Sequence, residues 1–193
     1  MTKARTPLPK IPGLEHVRGR SRRIVTLDGP DRKLLRTRSR PVPKVDHSIK
    51  RLVADMLVTM RRAHGVGLAA VQVGVPLRVL IADHGPGPMA LINPRVRRRW
   101  GTQLGPEGCL SIPGAFASVR RSQGVVVDAH TILGRRAVVR GAGLLARILQ
   151  HEIDHLNGVL FIDRITPRVR RQIGRRAAVG RRAARRRSTT RRR

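Results

Sequence analysis

The most chemically informative stretch of the chain is residues 150–156, which read Gln-His-Glu-Ile-Asp-His-Leu. If this stretch is helical, His151 and His155 lie one turn apart on the same face. Two imidazoles at that spacing can bind one metal ion, and Glu152 beside them can take a proton from a water molecule. The alternative is a helix that carries two histidines by chance. The pattern favours a metal site by a modest margin, and it leaves a third ligand to be found.

The single cysteine, Cys109, lies in a segment rich in turn residues, 105–114. One cysteine excludes an internal disulfide and suits a reducing compartment, and a lone cysteine is most often a small buried hydrophobe. Beside Gly108, the backbone can turn tightly and expose its N–H groups. Glu107 is either a brace for a neighbouring group or a solvated turn residue.

Residues 65–74, Gly-Val-Gly-Leu-Ala-Ala-Val-Gln-Val-Gly, allow another group to approach the backbone closely because their side chains are small. No Lys-Ser/Thr pair follows and the pattern Gly-x-Gly-x-x-Gly is absent, so nucleotide binding is disfavoured. Gln72 is a neutral amide within an apolar run. Taken alone, it is better interpreted as a surface or locally bonded residue.

Composition limits the class of protein. The 193 residues are 40% hydrophobic, which suits one domain, and no apolar run approaches the roughly 18 residues of a membrane helix. The N-terminus lacks a secretory apolar segment, so we expect a cytoplasmic protein without membrane contact; a cleaved transit peptide is the less favoured alternative.

The net charge is +31, and residues 164–193 hold fourteen Arg and no acid. Such a tail attracts polyanions.

Hydrophobic periodicity predicts two helices and several strands. An amphipathic helix is expected at 46–64, capped by Asp46 or Ser48 and closed by Gly65 with positive φ. The second helix is expected at 143–156, where Leu144 and Ile148 continue the stripe of the two histidines. Strands are expected at 77–82, 90–92, 125–127 and 137–139, in antiparallel or mixed sheets. Residues 1–23 are expected to form a mobile extension, and 95–100 an exposed basic segment.

Three segments in this order resemble the peptide deformylases: Gly-x-Gly-Leu-Ala-Ala-x-Gln, Glu-Gly-Cys-Leu-Ser and Gln-His-Glu-x-Asp-His. The resemblance implies an α+β fold with mixed and antiparallel sheets around a central metal-binding helix. It also implies a metal-dependent hydrolase that removes the N-formyl group from the initiator methionine of nascent polypeptides. The catalytic domain would be residues 24–166, between a basic N-terminal extension at 1–23 and an Arg-rich tail at 167–193.

The resemblance also implies roles for individual residues. Cys109, His151 and His155 would be the metal ligands, and Glu152 the acid and base. The side-chain amide of Gln72 and the backbone N–H of Leu110 would stabilise the oxyanion. The substrate would contact Gly65, Gly67, Leu144 and Ile148. These substrate contacts have weaker support than the metal ligands.

Further expectations concern the metal and the partners. Family members commonly use ferrous iron, so Fe²⁺ is expected, although zinc or another divalent ion would suit the same ligands. Where some members carry an Arg that braces the motif glutamate, this chain has Phe116. Besides formylmethionyl nascent peptides, the ribosome or its RNA is a candidate partner of the tail. Arg usage without a binding role explains the tail about as well.

Two other functions compete with this interpretation. A zinc protease with the same helix would usually complete its site with a downstream His or Glu, but no His follows His155 and no acid follows Asp163. A nucleic-acid-binding protein with a structural zinc would need a fourth protein ligand, and no candidate has suitable spacing.

Overall fold

The computed structural model describes residues 11–85 and 87–174. Within this part of the chain, a five-stranded sheet lies between two helices, and a separate hairpin flanks the second helix. The helices are α1 (His47–Arg62) and α2 (Gly143–Leu156). The strands are β1 (Gly67–Ala69), β2 (Val79–Asp83), β3 (Pro88–Trp100), β4 (Gln103–Cys109), β5 (Ile112–Arg121), β6 (Gly124–His130) and β7 (Arg136–Ala142).

The large sheet has the strand order β1-β2-β3-β6-β7, and every neighbouring pair is antiparallel. The β4–β5 hairpin is inserted between β3 and β6 and forms its own two-stranded sheet. These sheets and helices confirm the α+β fold that the sequence predicted. β1 is an edge strand, so one side of its backbone is not paired within the sheet.

The two helices cover opposite faces of the sheet because β2 alternates its apolar side chains. Val79 and Ile81 pack in the cluster that contains α1, whereas Leu80 and Ala82 pack in the cluster that contains α2. All four are completely buried, as expected for a central strand between two helical layers. The sheet thereby supplies a rigid apolar support for the inner side of α2.

The β4–β5 hairpin is held beside α2 by a third apolar cluster. Ile112 and Val119 of β5 pack there with Phe161 and Leu35, both of which are almost fully buried. The cluster fixes the hairpin at its turn, next to Cys109.

None of the helices within residues 11–85 and 87–174 has both the length and the apolar character that a membrane-spanning helix needs.

Several predicted elements are confirmed. Helix α2 has the predicted bounds, and Asp46 caps α1 by accepting a hydrogen bond from the N–H of Ile49 at 3.1 Å. At the start of the expected tail, the structure adds that residues 167–174 are helical up to the end of the described chain, and that Thr166 accepts a hydrogen bond from Val169 N. The rest of the predicted tail lies outside the described residues.

Two expectations were wrong, and a third was incomplete. The expected mobile extension packs against the core from residue 11, where Ile11 and Leu14 are buried. Gly65 does not have the positive φ expected at the end of α1; His64 has it, at 54°. The basic segment 95–100 is exposed as expected, apart from half-buried Val96. What was not predicted is that it belongs to β3 and is paired with β6, because backbone pairing does not depend on whether the outward side chains are charged.

Candidate active site

The site centres on one face of α2. His151 and His155 lie one turn apart on this helix, and their ring centroids are 4.9 Å from each other. Cys109 approaches from the hairpin, with its Sγ 3.2 Å from Nε2 of His155. One ligand atom from each of these three side chains lies within 4.8 Å of the others. The fold therefore brings Cys109 to two histidines that are more than forty positions further along the chain.

The position of Cys109 depends on the end of β4. The register of the hairpin shifts between Gly108 and Cys109, so that Cys109 pairs with Ile112 across a two-residue turn. Such an irregularity redirects a side chain out of the regular alternation of a strand. A Cβ at Gly108 would lie 2.5 Å from the ring of Phe116, so a side chain there would have to displace that exposed ring. The hairpin turn thus aims the thiol at α2.

Glu107 supports His151 from behind. Its carboxylate accepts hydrogen bonds from Nε and Nη2 of Arg121, at 2.8 and 2.9 Å, and from Arg147 at 2.8 Å. The remaining contact, 3.0 Å long, joins it to Nδ1 of His151. Burial alone would raise the pKa of Glu107, but the hydrogen bonds from Arg121 and His151 outweigh it and lower the pKa to about 2. The carboxylate is ionised and fixes the orientation of the imidazole.

Asp154 extends this support along α2. It accepts hydrogen bonds from Arg121 and from Arg164, which binds both of its oxygens. We name this group the arginine network. Its members are Glu107, Arg121, Arg147, Asp154 and Arg164. Glu107 is a buried brace rather than a solvated turn residue, which settles the alternative that the sequence left open.

Glu152 has a very different environment. It is buried, and its Oε2 has no hydrogen-bond partner among the described residues. Desolvation is the main reason that its pKa rises to about 7. Gly67 faces it so closely that a Cβ there would lie 2.4 Å from Oε1. The carboxylate therefore lies against bare backbone, and the absence of a side chain at Gly67 makes that possible.

Gln72 has a fixed amide orientation. Its Oε1 accepts a hydrogen bond from the N–H of Ala69 at 2.8 Å, so its Nε2 points the other way. Nε2 donates to Oγ of Ser111 at 3.1 Å and lies 3.6 Å from Sγ of Cys109. Gln72 is thus a buried residue whose donor faces the metal-ligand cluster. In the described chain, no group accepts a hydrogen bond from the backbone N–H of Leu110.

A cavity of about 530 Å³ opens onto these groups and is lined mainly by apolar residues. Nine of the ten predicted site residues line it; His155 lies behind the others. Leu144 stands at the opening and is 56% exposed, whereas Ile148 is buried at the wall. The nine are Gly65, Gly67, Gln72, Cys109, Leu110, Leu144, Ile148, His151 and Glu152.

The two arginines that hold Glu107 were not predicted from the sequence. Arg147 interrupts an otherwise apolar helical run, Leu-Leu-Ala-Arg-Ile-Leu, and a cation at such a position could have indicated a buried acidic partner. Arg121 gave no such signal because it follows another Arg at the end of a strand. Phe116, at the position of the expected bracing Arg, is 71% exposed, and Arg121 supplies that brace instead.

The donor set fits a divalent metal ion. One sulfur and two imidazoles are the ligands that zinc and iron sites use, and they leave a further coordination position free. Nδ1 of His151 is occupied by Glu107, which leaves Nε2 of that ring for a metal. Burial opposes a charge on His151, yet its contacts with Cys109 and Glu107 raise its pKa to about 10. At His155 the shift is opposite, because burial and the nearby His151 lower its pKa well below the ordinary value of 6.5.

Comparisons with known proteins identify the family to which the chain is similar. A family model described as polypeptide deformylase matches residues 21–171. The peptide deformylase of Desulfitobacterium hafniense is 48% identical over 139 residues, which are 72% of this chain and 93% of that protein. The peptide deformylase of Dictyoglomus thermophilum is 45% identical over 131 residues, 68% of this chain and 86% of that protein.

Solved structures agree with the sequence relatives. A peptide deformylase structure from Legionella pneumophila superposes with a TM-score of 0.79 at 39% identity and covers 85% of this chain and 97% of its own. A peptide deformylase structure from Thermotoga maritima gives a TM-score of 0.72 at 42% identity, with 76% of this chain and 99% of its own covered.

Proposed function

This chain belongs to the peptide deformylase family and removes the N-formyl group from nascent polypeptides, and we propose that Cys109, His151 and His155 hold its catalytic metal ion. The observation that carries this proposal is the convergence of those three side chains at one end of the apolar cavity. When bound, the metal supplies Lewis-acid activation of the formyl oxygen and of water. The rival functions, a zinc protease and a nucleic-acid-binding protein with a structural zinc, are excluded by the family membership.

Glu152 is the general base and acid of this proposal. It takes a proton from the attacking water as the oxygen bonds to the formyl carbon, and it returns that proton to the nitrogen as the C–N bond breaks. The products are formate and a peptide with a free amine. Its buried, unpartnered oxygen and its pKa of about 7 suit a group that must both gain and lose a proton near neutral pH. A divalent cation nearby would lower this pKa and favour the base form.

Gln72 and Leu110 stabilise the oxyanion of the tetrahedral intermediate. The side-chain amide of Gln72 is held by Ala69 and Ser111, so its donor is oriented before the substrate arrives. The N–H of Leu110, on the hairpin turn, is the second donor. Fixed neutral donors stabilise developing negative charge without opposing a cation, and the loss of one such donor typically costs about 3 kcal/mol of transition-state stabilisation.

Substrate contacts follow from the walls of the cavity. Leu144 and Ile148 provide an apolar surface for the methionine side chain, and the bare backbone at Gly65 and Gly67 leaves room only for a small acyl group. Because β1 is an edge strand, the peptide backbone can bind alongside it as an added strand.

The metal ion is Fe²⁺ in this proposal, with zinc as the alternative that the same ligands would accept. The proposal is tested by formate release from a formyl-Met tripeptide, with metal analysis of the same anaerobic sample. Cys109→Ala should lose both metal and turnover, whereas Cys109→Asp, which keeps an anionic ligand, should retain part of the metal. Full metal content and full turnover in Cys109→Ala would refute the ligand assignment.

The Arg-rich tail and the cellular location belong to the same proposal. We place the enzyme in the cytoplasm because nascent polypeptides are its substrates, and we infer that residues 167–193 form a tail attached to a catalytic domain at 24–166. The tail would attract ribosomal RNA through its charge. Since Ile173 packs against the hairpin cluster, the appropriate deletion removes only residues 175–193.

That deletion should weaken salt-sensitive binding to ribosomes and leave the turnover of short formyl peptides unchanged. A matched variant replaces the tail arginines with lysines and preserves its charge. If ribosome association is the same with and without residues 175–193, the tail has no part in it.

A further inference from the structure

A second surface with its own chemistry lies on the face of the large sheet that α2 does not cover. In β6, Val125 and Val127 pack toward α2, so Val126 between them points to the other side. The register places Arg98 of β3 and Arg140 of β7 on either side of Val126. With Trp100, these residues line a hollow of about 420 Å³, which we name the Trp100 face.

Trp100 has a defined position on this face. It pairs with Gly124, and a Cβ added to Gly124 would lie 2.0 Å from the indole ring. The ring therefore lies directly over the Gly124 backbone, which supports one side of it. The residue is still 42% exposed. A flat aromatic surface is thus held in place with part of it open to solvent, an arrangement that a bulkier residue at Gly124 would prevent.

The two arginines beside the ring are unpaired in the described part of the chain. Among the residues that the structure describes, none forms an ion pair or hydrogen bond with the guanidinium of Arg98 or Arg140. Their neighbour Arg97 differs, since its Nε donates to Asp128 at 2.7 Å. The Trp100 face therefore combines a supported aromatic ring with two guanidinium groups, separated across the sheet, that remain available to an anion.

We propose that the Trp100 face binds single-stranded RNA, with an unpaired base stacked on Trp100 and the adjacent phosphates paired with Arg98 and Arg140. Aromatic rings that stack on bases, within positively charged grooves that follow the backbone, are the common means of binding single strands. A double helix would not present a base to the ring. The choice of RNA rests on the deformylase function, because nascent polypeptides emerge from a particle built largely of RNA.

The chain offers a direct measurement of this contact. Trp100 is the only Trp and there is no Tyr, so intrinsic fluorescence reports this face alone. Titration of the full-length protein with oligouridine of about ten nucleotides should quench the emission to saturation, and the apparent affinity should fall as salt rises. If labelled RNA binds, by anisotropy, but the emission of Trp100 does not change, the RNA binds elsewhere and the proposal is wrong.

Charge variants separate this face from the general positive charge of the protein. Arg98→Ser with Arg140→Ser should reduce the slope of log affinity against log salt by about 1.4, the value for two phosphate contacts on a single strand. The matched control is Arg51→Ser with Arg62→Ser, which removes the same charge from the exposed side of α1. Equal losses in the two double variants would show that only net charge matters and would overturn the proposal.

Substitution of the ring tests stacking itself. Trp100→Leu should weaken the binding of labelled oligouridine about tenfold, and Trp100→Phe should restore most of that loss. None of these residues lines the catalytic cavity, so turnover of a short formyl peptide should stay at the wild-type value and show that the variants are folded. Unchanged RNA affinity in a folded Trp100→Leu variant refutes stacking.

The nature of the ligand is tested with two competitors. Oligothymidine of the same length should bind more weakly than oligouridine, and equal affinity would overturn the choice of RNA. Phosphatidylglycerol vesicles present anionic phosphates without bases and should leave the emission of Trp100 unquenched. A larger response to the vesicles than to RNA would assign the face to a lipid surface instead.

Discussion

The catalytic cavity and the arginine network adjoin each other at α2, yet they treat buried carboxylates in opposite ways. In the network, Glu107 receives hydrogen bonds from two arginines and a histidine, and its pKa falls to about 2. In the cavity, Oε2 of Glu152 has no hydrogen-bond partner in the part of the chain that the structure describes, and the pKa of Glu152 rises to about 7. A buried carboxylate that accepts several hydrogen bonds stays ionised and can position other groups. A buried carboxylate that lacks such donors can gain and lose a proton near neutral pH.

The sharpest test of this contrast removes the isolated carboxyl. Glu152→Gln keeps the shape of the side chain but cannot accept a proton from water. Turnover of a formyl-Met tripeptide should fall about a thousandfold, within the usual contribution of a general base, while the metal content stays unchanged. Glu15→Gln, an exposed carboxyl outside the cavity, serves as the control. A loss smaller than tenfold in Glu152→Gln would contradict the assigned role.

A substitution in the arginine network should lower the free energy of unfolding and the metal affinity, and it should not act directly on the proton transfer. Arg121→Met leaves Glu107 and Asp154 with fewer partners in a dry environment, where such a loss costs about 3–5 kcal/mol of unfolding free energy. Weaker support of His151 should also reduce metal affinity about ten- to a hundredfold. Urea unfolding and competition with a chelator measure the two effects.

The control for this variant is Arg97→Met, which breaks an exposed ion pair with Asp128. Its cost in unfolding free energy should stay below about 1 kcal/mol, because solvent already screens the pair. If the Arg121 and Arg97 variants lose equal stability, burial does not distinguish the two pairs.

The close approach of Gly67 to Glu152 provides a third test. In Gly67→Ala, the new methyl group would lie 2.4 Å from Oε1 of Glu152 and 2.9 Å from Ile148, so the carboxylate must move. A displacement near 1 Å costs about a hundredfold in rate, and we expect that loss in kcat/KM. Gly174→Ala is the matched control, since a Cβ there meets no atom within 4 Å. It should leave kcat/KM unchanged, and a normal rate in Gly67→Ala would show that the site tolerates the shift.

The smallest effect concerns an ion pair near the surface. Partial burial tends to raise the pKa of Asp163, but the hydrogen bonds from Arg36 and from the N–H of Leu160 outweigh it and lower the pKa below its ordinary value of 3.8. A carboxylate with a lowered pKa stabilises the fold above its unfolded-state pKa, and this contribution is lost as the pH falls through the folded-state value.

Asp163→Asn should therefore reduce the free energy of unfolding at pH 7 by about 1 kcal/mol or less. The difference from the wild type should shrink as the pH falls below about 4. Urea unfolding at several pH values measures it, and a difference that grows toward acid would reverse the sign of the argument.

Much of the secondary structure could be predicted from the sequence because it depends on local patterns of apolar residues. Both helices were predicted from the spacing of apolar residues, in α1 and in the stretch that ends at Leu156. This was possible because a 3.6-residue periodicity depends only on neighbouring positions. The strands were predicted less completely than the helices. β3 extends to Trp100 through a run of arginines, and only its pairing with β6 makes that run a strand. The burial of Ile11 and Leu14 likewise depends on partners distant in sequence.

The sequence by itself determined the family, through three motifs whose residue types and order are sufficient for recognition, and it supplied every residue of the proposed site. Only the tertiary structure decided how those residues differ from one another. It placed Arg121 and Arg147 on Glu107, left Oε2 of Glu152 with no hydrogen-bond partner among residues 11–85 and 87–174, and set Trp100 over Gly124. The physical reason is that ionisation and stacking depend on desolvation and on contacts between distant segments, which local sequence does not specify.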